Sequence, residues 1–96
     1  MKYKFDHTKV SATDWLGNDY IKVLEENQKA PLHKLVGNVV HVNTRTLEMD
    51  EIARKIFNGE VVEIGENERE QFVNAIKSSP WHEFINNSII NAIEDL

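Results

Sequence analysis

The 96-residue sequence contains no cysteine. This absence excludes disulfide bonds, zinc sites built from thiolates and catalysis by a cysteine nucleophile. Small domains that are stable without disulfides are typical of reducing compartments, and we therefore expect a cytoplasmic protein. The sequence also lacks any apolar run long enough to cross a bilayer, so it predicts no membrane partner.

Glycine and proline are scarce as well, with four and two residues. The glycines are spread along the sequence and form no phosphate-binding loop; they are Gly17, Gly37, Gly59 and Gly65. No Pro/Gly-rich linker and no internal repeat divides the chain. We therefore expect a single domain that covers residues 1–96.

Motifs that carry chemistry are also missing. The four histidines do not fall at metal-binding spacing on any one predicted helix; they are His7, His33, His41 and His82. There is no G-x-S-x-G nucleophile motif, and the glutamates between positions 60 and 70 lack the alternating Asp/Asn ligands of a calcium loop. The sequence thus predicts a protein that is not an enzyme and binds no cofactor and no metal.

The formal net charge of −5 is unevenly distributed. Residues 1–45 contain seven Lys/Arg and five Asp/Glu, whereas residues 46–96 contain four Lys/Arg and eleven Asp/Glu. The acidic half should repel nucleic-acid phosphates, and the basic residues of the first half are scattered. A nucleic-acid-binding regulator is therefore the least favoured class, while attraction to a basic protein surface fits the charge. Solubility alone is a simpler reason for the same bias.

The segment Leu47–Ile76 has the clearest pattern in the sequence. Apolar residues at helical spacing predict a helix over Met49–Asn58, with Asn58-Gly59 as its stop. The β-branched run Val61–Ile64 predicts a short strand. Apolar residues at helical spacing then resume, predicting a second helix over Glu66–Ser78.

The remaining elements are weaker predictions. Alternation in Lys2–Phe5 and the valines of Val39–Val42 predict two more strands, with His41 facing solvent. Gly37-Asn38 would end a short helical turn that begins at Leu32. Helices are expected over Thr13–Asn27, with a later start at Asn18 as the alternative, and over Pro80–Asp95, with Ser79 as N-cap.

These elements predict an α+β fold. About three strands would form a small sheet, and three to four helices would pack on one of its faces in a single compact domain. Polar strand residues such as Lys4, His41 and Glu63 would then face water. Trp15 is interpreted as a core anchor, with a surface hot spot as the alternative.

The function predicted from these patterns is a non-enzymatic protein-interaction module. An acidic face within Glu48–Glu70 would bind a basic surface of a protein partner. The chain is short, acidic and free of cysteine, and a helix, a glycine, a strand and an acidic helix follow one another in it. In these features it resembles small bacterial or bacteriophage accessory proteins, including inhibitors. The predicted partner-binding residues are Glu48, Asp50, Glu51, Glu60, Glu63, Glu66, Glu70 and Trp81.

Two alternatives remain open. The first is mimicry of DNA by the acidic face, although interspersed basic residues such as Arg54 and Arg69 dilute its charge. The second is a structural subunit that forms a homo-oligomer through the C-terminal helix. The wide apolar stripe of that helix comprises Trp81, Phe84, Ile85, Ile89, Ala92, Ile93 and Leu96.

Overall fold

The computed structural model describes residues 2–96. Within this range the chain forms five α-helices and one three-stranded sheet, which confirms the predicted α+β class. A 3-10 turn at His7–Lys9 follows the first strand. In chain order the elements are β1 (Lys2–Phe5), α1 (Tyr20–Gln28), α2 (Leu32–Asn43), α3 (Leu47–Phe57), β2 (Val62–Gly65), α4 (Glu66–Lys77), α5 (Glu83–Asn91) and β3 (Ile93–Asp95).

The sheet is antiparallel, with β1 in the middle and the order β2-β1-β3. Phe5 lies opposite Val62, and both are buried. Lys4 lies opposite Glu63 on one side and Glu94 on the other. Since residues directly opposite each other share a face of the sheet, one face is apolar and the other carries this row of alternating charges.

The hydrophobic core lies between the apolar face of the sheet and the helices. The Phe5 ring on β1 packs against the Phe72 ring on α4, with ring centroids 5.0 Å apart. Dispersion and removal of apolar area from water stabilise this layer. The largest fully buried side chains are Phe5, Val36, Val40, Met49, Ile56, Ile64, Phe72, Ile76 and Ile89.

The predicted limits of the central segment are confirmed to within two residues. The Thr46 hydroxyl accepts a hydrogen bond from the Met49 amide at 3.2 Å and caps the start of α3. At the other end, Asn58 is the C-cap and Gly59 has a φ of 85°. Glycine adopts this left-handed conformation without the steric cost of a side chain.

The strand prediction for Val39–Val42 is wrong, because these residues form the last turns of α2. The β-branched valines favour strands locally, but tertiary packing overrides such propensities. Gly37 and Asn38 do not end the helix either; both lie in its interior. The buried side chains recur at helical spacing, as Leu32, Val36, Val39 and Val40.

The helix predicted over Pro80–Asp95 is shorter than expected at both ends. It begins at Glu83, with His82 rather than Ser79 as N-cap, and the His82 imidazole accepts a hydrogen bond from the Phe84 amide. Its last predicted turn is instead β3, which pairs with β1. This strand replaces Val39–Val42 as the third strand of the sheet.

Candidate functional site

Trp15 is fully exposed, with a relative accessibility of 106%. It belongs to the segment Thr13–Asn18, which precedes α1 and was predicted to be helical. The helix begins only at Tyr20, with Asp19 as N-cap, which lies closer to the later start considered from the sequence. The interpretation of Trp15 as a core anchor is therefore wrong, and its side chain lies on the surface.

Asp14 organises the segment as a compact loop. Its carboxylate accepts hydrogen bonds from the amides of Leu16 and Asn18, each at 2.9 Å, and from the Asn18 side chain at 3.0 Å. Gly17 has a φ of 87° and donates its amide proton to the Asp14 carbonyl oxygen. The bonds to the carboxylate, led by the one from the Asn18 side chain, hold the pKa of Asp14 below its ordinary value.

Both ends of the loop are attached to the body of the domain. Thr13 and Asp19 pair as an isolated β-bridge, and the Tyr20 amide donates to the Ala12 carbonyl oxygen at 2.9 Å. Ala12 itself is buried. Trp15 is thus presented by a loop whose backbone is fixed by hydrogen bonds, which lowers the entropy lost when a partner binds.

Further apolar side chains surround Trp15 on the surface. Leu16 is 89% exposed, and Phe84 at the start of α5 shares a surface hollow with Trp15. The Tyr20 ring contacts the Phe84 ring edge-on, with centroids 5.1 Å apart, and Val23 follows one turn later on α1. We call these five residues, Trp15, Leu16, Tyr20, Val23 and Phe84, the aromatic patch.

The residues predicted to bind a partner are distributed over several elements. Six of them are exposed and form no ion pair with any other side chain of residues 2–96; these are Glu48, Glu51, Glu60, Glu63, Glu66 and Glu70. Glu48 shares a hollow with Glu68 between the starts of α3 and α4. Glu63, by contrast, lies on the outer face of the sheet. Trp81 is half-buried and packs against the core.

Asp50 differs from the other predicted residues because it is paired. Its carboxylate lies 2.6 Å from His41 Nδ1 and 3.5 Å from Arg54 Nη2. The three side chains border a hollow of about 220 Å³ between α2 and α3. The contact between His41 and Asp50 connects α2 to α3.

Two further histidines meet at the C-terminus of α3. His33 Nδ1 lies 2.8 Å from the Phe57 carbonyl oxygen, and His7 Nε2 lies 3.2 Å from the Gly59 carbonyl oxygen. The two rings are 4.9 Å apart. Carbonyl oxygens at the end of a helix need such donors, so His33 acts as a cap of α3, whereas His7 contacts Gly59, two residues beyond the helix. Sequence spacing could not reveal this arrangement, since position 59 lies far from position 7.

Within residues 2–96, no three His, Asp or Glu side chains are arranged to hold a metal ion. The helices of the same range are all too short or too polar to span a membrane. Comparison with protein-family models, curated proteins and solved structures finds no match for this chain.

The aromatic patch was missed in the sequence because its members are separated along the chain. Only the loop Thr13–Asn18 had a local sequence pattern that indicated its structure. Asp14, Gly17 and Asn18 are residues that favour turns, since Asp accepts bonds from nearby amides and Gly tolerates a positive φ. Weighing these three residues against the helical pattern would have placed Trp15 outside a helix, and hence closer to the surface.

Proposed function

We propose that this domain is a non-enzymatic protein-interaction module of the cytoplasm, and that the aromatic patch is its main contact surface. One observation carries the proposal: Trp15 is fully exposed although its loop is fixed by hydrogen bonds to Asp14. An exposed tryptophan keeps apolar area in water, which is unfavourable for the isolated domain. Binding a partner would remove this area from water without ordering a flexible segment.

Tryptophan is also a residue type that dominates binding energies at interfaces. Hot spots are enriched in Trp, Tyr and Arg, and truncating one costs about 2 kcal/mol of binding free energy or more. The patch combines Trp15 with the aromatic rings of Tyr20 and Phe84, which already contact each other. This pre-arranged cluster supports a contact centred on Trp15.

The acidic residues of Glu48–Glu70 have a second role in this proposal. Six of them are exposed, and none of these six is paired with a cation among residues 2–96. Unpaired surface charge attracts an oppositely charged partner over several ångströms and raises the association rate. The partner would therefore carry a basic surface, and its binding would weaken as salt is added.

Affinity capture with matched baits tests the proposal. The wild-type domain and the Trp15→Ala variant are each used as bait in a lysate of the source organism, and captured proteins are quantified. Leu47→Ala is the control, because Leu47 is 81% exposed but begins α3, outside the patch. We expect a partner that is lost with Trp15→Ala and kept with Leu47→Ala. Equal capture by all three baits would refute the role of the patch.

Self-assembly through the C-terminal helix is the second candidate function. Ile89 is fully buried in the domain's own core, so the exposed part of α5 available for assembly centres on Phe84. Sedimentation of the wild-type domain and of Phe84→Glu over a range of concentrations tests this candidate. An oligomer that Phe84→Glu dissociates would support it, and a monomer at high concentration would remove it.

A further inference from the structure

The aromatic patch borders two neighbouring surface hollows between the loop, α1 and the start of α5, which we call the groove. The groove consists of two hollows of about 460 and 450 Å³. Trp15 and Phe84 line the first, and Val23 and Ile85 line the second. The edge-on contact between Tyr20 and Phe84 lies at their junction. The groove therefore offers two adjacent apolar sites rather than one flat surface.

The second hollow has helical walls, whereas the first is lined by loop residues 13–16 and by Phe84. Tyr20, Val23 and Asn27 lie on one face of α1, at the spacing of successive turns, while His82 and Ile85 form the opposite wall. Backbone groups inside helices are already hydrogen-bonded, so the walls of the second hollow offer no pairing for an extended peptide. Strand addition requires an open sheet edge. Side-chain packing is therefore the mode of binding at the second hollow, and it suits a helix with an apolar stripe.

The rim of the groove is acidic. Asp14 lines the first hollow, and three exposed carboxylates, those of Asp19, Glu26 and Glu83, belong to residues next in sequence to lining residues. Lys22 is the one lysine of α1. Two of these carboxylates are fixed in place, since Asp14 binds the loop amides and Asp19 accepts bonds from the Ile21 and Lys22 amides. An occupant with lysines or arginines beside its apolar stripe would match this rim.

We propose that the groove binds an amphipathic α-helix of a partner protein, with apolar residues in the two hollows and basic residues against the rim. Helices of this kind repeat their apolar residues along one face, so two of them can fill two adjacent hollows. The inference rests on the proposed interaction function, and it specifies which segment of the partner is bound and with what charge.

Two synthetic peptides of equal length test this inference. They share a leucine stripe at helical spacing, and their polar positions are all lysine in one and all glutamate in the other. Each is titrated into the ¹⁵N-labelled domain, in which the indole resonances of Trp15 and Trp81 are separate probes. We expect the lysine peptide to shift the Trp15 indole and the amides of Tyr20–Gln28, and to bind about tenfold or more tightly than the glutamate peptide at low salt.

Charge variants of α1 provide the matched controls. Glu26→Lys should weaken binding of the lysine peptide, and Lys22→Glu on the same helix should strengthen it. A scrambled lysine peptide without an apolar stripe should bind far more weakly than the ordered one. Equal binding of the ordered and scrambled peptides, or shifts confined to the acidic residues of Glu48–Glu70, would overturn the inference.

The peptide titration and the affinity capture can fail independently of each other. If capture depends on Trp15 but neither peptide shifts the groove resonances, the interaction function stands and the helical basic occupant is refuted. If capture is independent of Trp15 and the peptides do not bind, both proposals fail. Stronger binding of the glutamate peptide would refute the predicted charge of the occupant while keeping the groove as a site.

Discussion

Gly37 on α2 lies in direct contact with Phe57 on α3. A β-carbon at position 37 would lie 2.7 Å from the Phe57 Cβ and 2.7 Å from the Phe57 amide nitrogen. It would also lie 2.8 Å from the Ala53 carbonyl oxygen. Since two of these three neighbours are backbone atoms, the helices would have to move apart to admit even a methyl group. The close packing of α2 on α3 thus depends on glycine at this position.

We predict that Gly37→Ala lowers the free energy of unfolding by roughly 1–2 kcal/mol. Overpacking a tight contact lowers the free energy of unfolding by about 1–3 kcal/mol. The better helix propensity of alanine offsets up to about 1 kcal/mol of this loss. Urea denaturation measures the difference. Asn38→Ala, at the exposed neighbouring position, is the control and should change stability by about 0.5 kcal/mol or less. An unchanged stability for Gly37→Ala would mean that the helices can separate freely.

Ile89 and Ile90 on α5 should respond differently to truncation. Ile89 is fully buried, whereas Ile90 is half-buried at the edge of the core. Ile89→Ala should therefore lower the free energy of unfolding by about 2–5 kcal/mol, since it leaves a cavity in a packed interior. Ile90→Ala should cost clearly less. Chemical denaturation of both variants measures this contrast, and equal losses would contradict the placement of Ile89 in the core.

The His41–Asp50 contact should contribute little to stability despite its length of 2.6 Å. The two side chains are 63% and 39% exposed, so water screens the pair. A double-mutant cycle with His41→Ala and Asp50→Ala should give a coupling energy of about 0.2–1 kcal/mol. The coupling should shrink as salt is added. A value above about 2 kcal/mol would indicate a far drier environment than the exposure implies.

The loop around Trp15 should loosen in acid. The pKa of Asp14 is held below its ordinary value of 3.8, first by the Asn18 side chain and then by the Asn18 and Leu16 amides. A carboxyl group with a lowered native pKa stabilises the folded loop fully above the unfolded pKa. This contribution is lost as the pH falls through the lowered native value. The Trp15 indole resonance should therefore change only at acidic pH below 3.8.

Asp14→Asn is the control for this titration. Asparagine keeps the shape of the side chain and an acceptor oxygen but has no proton to gain in this range. The Trp15 resonance of the variant should lack the acidic transition. Asp6 also has a lowered pKa, yet its partners are the Thr8 hydroxyl and amide, outside the loop. An unchanged transition in Asp14→Asn would assign it to another group.

Local patterns predicted the elements whose limits depend on nearby residues. Thr46 caps α3 and Gly59 follows its end, and both signals act through groups only a few residues away. The strand Lys2–Phe5 was predicted from its alternation, because one face of β1 is buried and the other is polar. Such one-sided burial produces a pattern that a sequence reveals directly.

The secondary-structure predictions were wrong where the structure depends on contacts that the local pattern does not contain. Val39 and Val40 are helical because α2 packs on α3 along a seam that Gly37 makes possible. Ile93 is in a strand because β1 has a free edge for it to pair with. Trp15 is exposed because Asp14 binds the loop amides and a helix does not form there. In each case the deciding partner lies outside the local pattern or competes with it.

The candidate site was less predictable than the fold. The exposed acidic residues could be identified from composition, since carboxylates without partners rarely enter a core. The aromatic patch could not, because it joins the loop before α1 to Phe84 at the start of α5. The contact between Tyr20 and Phe84 that unites the two parts is visible only in three dimensions.

The central position of β1 also determines how the protein can fold. Tyr3 pairs with Ile64 and with Asp95, so both sheet contacts of the first strand close long stretches of chain. Closing long loops costs entropy before any pairing is gained, which slows folding. Helices α2 and α3 are consecutive in sequence, so their contact closes only a short loop. We therefore expect these two helices to pack together first. Gly37→Ala should then slow refolding, whereas substitutions in β3 should mainly accelerate unfolding.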